Sequence, residues 1–85
     1  MSRTEEIRAR LEERFAPREI EVADVSAAHR GHAGYQEGGE SHFDVRLRSA
    51  AFEGMGRIAR HRAVHAALGT ELMAAIHALS LDLGT

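Results

Sequence analysis

Ile7, Leu11 and Phe15 recur every four residues, and Ser2 with Glu5 three positions on forms a capping box ahead of them. This spacing predicts a first helix that ends before Pro17. The apolar period then tightens towards two at Ile20, Val22 and Val25, with one slip, before the small and polar Ser26, Ala27 and Ala28. That is a strand. Phe43, Val45 and Leu47 alternate with His42, Asp44, Arg46 and Arg48, so a second strand has one buried and one polar face. Phe52 and Gly54 mark a turn. Alanine-rich residues 55–68 predict a helix, with Gly69 as its C-terminal cap and a short third helix over 70–76. Leu79, Leu81 and Leu83 alternate with Ala78, Ser80 and Asp82 in a last strand.

The order is αββααβ. Strands one and two, joined by a loop, can pair as an antiparallel hairpin; two helices separate strands two and three, the length that a parallel crossover needs. The fold expected is α+β: a three-stranded mixed sheet with helices on one face, forming a single domain over 1–85. Residues 27–39 hold Gly31, Gly34, Gly38 and Gly39 together with His29, His32 and Tyr35, a composition that favours a mobile connection over regular structure.

With 85 residues, 44% of them hydrophobic, the chain can fill one core and not two, since a domain this small buries only about 60% of its unfolded surface. No run reaches the roughly 18 apolar residues of a spanning helix, so no membrane association is expected. Residues 3–14 resemble an Arg-rich transit sequence, but Glu5, Glu6, Glu12 and Glu13 argue against one, and a cytoplasmic location is the expectation. The absence of cysteine removes disulfides and thiolate ligands together, so any metal must be held by nitrogen or oxygen. Six histidines are the obvious source. The net charge of −2 gives no global attraction to nucleic acid, and every cationic side chain is arginine.

Several strings occur in order along the chain. They are Val25-Ser26, His29, Gly31-His32-Ala33-Gly34, Glu40-Ser41-His42-Phe43, Phe52-Glu53-Gly54, Arg60-His61-Arg62-Ala63-Val64, Leu68 with Glu71-Leu72, and His77-Ala78-Leu79. No single string is specific, but their sequence and spacing resemble the BolA-like family from the first helix to the last strand. The resemblance implies a KH-like (class II) fold and a non-catalytic adaptor. Such an adaptor partners a monothiol glutaredoxin and lends ligands to a shared 2Fe-2S cluster, for cluster transfer or iron-linked regulation. Two ligand positions follow from it: a loop histidine, best matched by His32 with His29 as the alternative, and the histidine that opens the HAL string, His77. The partner's cysteine and glutathione would supply the rest. The isolated protein is then expected to carry no cofactor and to be a monomer or weak homodimer. Transcriptional regulation through DNA is a second role the family implies.

Each of these residues has a plainer reading. A histidine between a helix end and a leucine-rich strand, as at His77, is more often structural, and His32 could be a solvated loop side chain. His42 falls on the polar side of strand two and reads as a surface or strand-end residue. His61 and His65 share a helical face at zinc-site spacing, yet Arg62 stands where a zinc protease needs glutamate, Arg57 and Arg60 repel a cation, and a third ligand is missing. Gly31-His32-Ala33-Gly34 satisfies the GxxG pattern of KH domains but joins two strands, whereas that clamp joins two helices. Arg57, Arg60 and Arg62 are the better basis for an alternative, a DNA- or RNA-binding regulator, although no aromatic accompanies them for base stacking. No cysteine nucleophile, nucleophile elbow or paired acids support catalysis.

Overall fold

The computed structural model describes residues 2–25 and 42–85. Helix α1 spans Arg3–Phe15. Ser2 caps it in extended conformation, its hydroxyl accepting the Glu5 N–H at 3.1 Å, which satisfies one of the free amides of the first turn. The helix stops at Ala16, which adopts the left-handed conformation (φ 43°, ψ 55°) and donates its N–H to the Glu12 carbonyl before Pro17 forbids another turn.

Strands β1 (Glu19–Asp24), β2 (His42–Arg48) and β3 (Ala78–Gly84) form one sheet in the order β1-β2-β3. β1 pairs antiparallel with β2, from Glu19 opposite Arg48 to Asp24 opposite Phe43. β2 pairs parallel with β3, from His42 opposite Ala78 to Arg48 opposite Gly84. Between β2 and β3 lie a 3-10 turn at Ala50–Phe52, helix α2 (Arg57–Leu68) and helix α3 (Thr70–Ala75). The mixed sheet expected from the alternation is therefore present, with β2 at its centre. Helix α2 begins two residues later than its composition suggests: Met55 donates its N–H to the Phe52 carbonyl, and Gly56 is the residue that precedes the helix. Gly69 ends α2 and opens α3 with φ 87° and ψ 158°, a conformation confined in practice to glycine.

Ile7, Leu11 and Phe15 of α1, Val64 and Leu68 of α2, Leu72 of α3 and Ile76 pack on Phe43, Val45 and Leu47 of β2 and on Phe52. Alternation on β2 and four-residue recurrence on α1 point these side chains to the same layer. Ser49 is a buried polar residue beside them; its hydroxyl donates to the Phe15 carbonyl at 2.6 Å and accepts the Ala51 N–H at 3.1 Å, which joins the end of α1 to the turn after β2. Arg10 of α1 donates to the Leu68 carbonyl at the end of α2, tying the two helices together.

Candidate functional site

Helix α3 ends at Ala75, and Ile76 turns the chain into extended conformation while its own side chain enters the core. Successive extended residues point to opposite sides, so the next side chain, His77, stands outside the core, exposed on the bend before β3. The connection 26–41 has both its ends here. Asp24 opposite Phe43 is the final pair of the β1–β2 ladder, and beyond it the Val25 N–H donates to the His42 carbonyl at 2.9 Å. His42 is in turn opposite Ala78, the neighbour of His77. The two feet of the connection and His77 thus share one end of the sheet. His29 and His32 belong to that connection and lie outside the described residues.

The structure corrects the reading of His42. Its position in β2 has the parity of exposed Asp44 and Arg46, yet it is only 3% accessible. Its ring centroid lies 5.0 Å from that of His77, with the planes inclined by 59°. Strand parity predicts which side of a sheet a side chain leaves from; it does not predict what covers the sheet's end, and here the bend at His77 reaches it. The hint in the sequence was that two histidines, opening β2 and immediately preceding β3, begin parallel neighbours.

Chemically this end offers imidazole nitrogen, one of the two donor types, nitrogen and oxygen, open to a chain without thiols. An exposed imidazole on a bend can reach a metal centre held by another molecule, and His77 has that exposure. Among the described residues no group of three or more His, Asp or Glu side chains is arranged to hold a metal by itself. His61 and His65 of α2 accordingly find no third ligand among the described residues.

The three arginines of α2 do not form one patch. Arg60 lies against the protein, its Nε donating to the Met55 carbonyl at 2.9 Å and its guanidinium 5.9 Å from the Phe52 ring. It shares a shallow depression with Arg57, His61 and β3 residues Leu81, Asp82 and Leu83. Arg62, two residues on from Arg60, faces elsewhere and lines a second depression with Arg57, Ile58, His61 and His65. Ile58 in the middle of that face is 68% exposed. Closeness in sequence made Arg57, Arg60 and Arg62 look like one cluster; the packing of Phe52 beneath Arg60 separates them.

Fold and site together define a small α+β domain of KH-like order with an imidazole pair at one end of its sheet. The family model described as BolA-like protein matches residues 11–85. The chain belongs to the BolA-like protein family. It is 48% identical over 83 residues to an "Uncharacterized protein in cobS 5'region" of Sinorhizobium sp, covering 96% of this chain and 89% of that protein. It is 43% identical over 79 residues to human BolA-like protein 1, covering 93% of this chain and 55% of that protein. The Escherichia coli relative, 42% identical over 79 residues with 88% of this chain and 71% of that protein covered, is named a DNA-binding transcriptional regulator. Among solved structures, the BolA domain of SufE1 from Arabidopsis thaliana superposes with a TM-score of 0.85 at 42% identity, over all of this chain and 93% of that one. The full-length SufE-like protein 1, named chloroplastic/mitochondrial, is much longer, and this chain spans 23% of it.

Proposed function

We propose that this protein is an iron–sulfur adaptor that binds a monothiol glutaredoxin and supplies histidine ligands to a 2Fe-2S cluster shared with that partner and glutathione. The observation that carries the reading is the placement of His77: exposed, on a bend, at the end of the sheet where both feet of the histidine-bearing connection 26–41 meet. His77 is one ligand, and His32, or His29 in its stead, is the other. When bound, a cluster with neutral imidazoles in place of two thiolates carries less negative charge and has a higher reduction potential, which suits transfer or sensing better than strong reduction. The test is to mix the protein with a monothiol glutaredoxin, glutathione, iron and sulfide and record visible absorption and circular dichroism. The spectrum should differ from that of glutaredoxin alone, and His77→Ala should return it to the glutaredoxin-only form. An unchanged spectrum on adding the wild-type protein would refute the proposal.

A second reading is DNA binding, favoured by the name of the Escherichia coli relative, a DNA-binding transcriptional regulator, and by the exposed Arg57 and Arg62 on α2. It expects affinity that falls steeply with salt and drops more on Arg62→Ala than on Arg60→Ala, because Arg60 is already engaged with Met55. Binding that is absent or indifferent to salt would eliminate it.

A further inference from the structure

His42 has a location that neither a surface role nor an ordinary core role explains. It opens the central strand, held by the Val25 N–H on one side and by its place opposite Ala78 on the other. Its backbone is therefore fixed from two directions. The side chain leaves on the solvent-side parity of β2, where Asp44 and Arg46 are exposed, and is nonetheless buried with its ring against that of His77. His77 has the opposite character: it is exposed and sits on the bend between Ile76 and the first residue of β3. A side chain in that position rotates about two bonds and loses that freedom when it binds. A tilted ring contact at 5.0 Å, within the usual range for aromatic pairs, restricts the rotation beforehand. Histidines that ligate metals depend on hydrogen-bonded neighbours to set ring orientation, and removing such a partner typically weakens metal binding by about 10–100-fold; a ring packed against the imidazole constrains the same rotation.

We propose that His42 is the positioning residue for His77: a rigid, buried ring that selects the orientation in which His77 presents its imidazole at the end of the sheet. The inference rests on His77 being a cluster ligand, and it deepens that reading by assigning the cause of the ligand's geometry. His42 acts through ring contact and does not itself touch the cluster.

Two variants separate this role from simple support of the fold. His42→Leu fills the buried space without an aromatic ring, and His42→Phe restores a ring without nitrogen. In the free protein, side-chain NMR couplings and ring-to-ring nuclear Overhauser contacts report the rotamer of His77. The wild type and His42→Phe should show one dominant His77 rotamer, whereas His42→Leu, with its fold verified by backbone chemical shifts, should show averaging. Equal rotamer populations in His42→Leu and wild type would overturn the proposal, and this reading requires no cluster. In the complex with a monothiol glutaredoxin, chelator challenge should strip the cluster about tenfold faster from His42→Leu and within about twofold of the wild-type rate from His42→Phe. If His42→Phe were as defective as His77→Ala, the nitrogen of His42 would be what matters and positioning by ring contact would be wrong. Should His77→Ala leave the cluster spectrum intact, the adaptor function fails, while the rotamer measurement still decides what His42 does to His77.

Discussion

Phe52 shows how one side chain can organise several elements. It is fully buried, its ring lies 4.8 Å from that of Phe15, and the Arg60 guanidinium stands over it. Phe52→Ala would open a cavity at this junction and should cost about 3–5 kcal/mol, a large part of the stability of a domain this small, read as a lowered urea midpoint. Ser49 is the polar counterpart. Ser49→Ala would leave the buried Phe15 carbonyl without the hydroxyl and remove the cap of the turn, at a cost of about 1–3 kcal/mol by the same measurement. His77 should behave differently. Because its side chain is exposed and its ring contact is with His42, His77→Ala should change stability by about 1 kcal/mol or less in thermal unfolding, too little to unfold the domain, so that any loss of a shared cluster reports on ligation and not on folding.

Helix ends carry the element-scale strain. Ala16 holds the left-handed conformation at the end of α1, which costs a residue with a Cβ about 1–2 kcal/mol relative to glycine. Ala16→Gly should therefore raise the melting temperature, by an amount reduced by the extra freedom glycine has in the unfolded chain. Gly69 is the opposite case. With φ 87° and ψ 158°, and with an added Cβ only 3.1 Å from an Arg10 guanidinium nitrogen, it is the one-residue hinge joining α2 to α3. Gly69→Ala should destabilise by about 1–3 kcal/mol, measurable by denaturant titration, through backbone strain more than through the contact, because the Arg10 side chain can move.

At the scale of the whole molecule, the sheet has two ends with different duties. Beyond the end opposite His77, the Ser49 N–H donates to the Gly84 carbonyl and Arg18 donates to Thr85. Arg48 lies across β3, donating to the Asp82 carbonyl and carboxylate at 2.9 Å each, and its side chain is only 18% exposed. This clasp holds the edge strand β3 to the centre. Arg48→Ala should lower stability by about 1–2 kcal/mol while leaving the NMR signals of the His77 ring in place, because the two ends are separated by the length of the ladder. The exposed ion pairs on α1, Arg8 with Glu12 and Arg10 with Glu6, each contribute less than about 0.5 kcal/mol and set no such division.

Periodicity determined α1, the three strands and the core side chains they carry, because a helix or strand must turn its apolar side chains to one layer and that demand is written locally; alanine-rich composition and the Gly69 cap gave the later helices. Ile7, Leu11, Phe15, Phe43, Val45 and Leu47 were all legible in this way, and the ordered strings made the family legible too. His77 could be singled out by its string but not assigned a surrounding. The tertiary structure alone decided that β2 and β3 begin side by side, so that the His42 ring meets that of His77, and that His42 is buried despite its polar-side parity. It also decided that Arg60 turns inward onto Met55 and Phe52 while Arg57 and Arg62 remain exposed. The physical reason is common to both. Periodicity reports the direction in which a side chain leaves the backbone, whereas burial and contact depend on what distant segments bring to meet it.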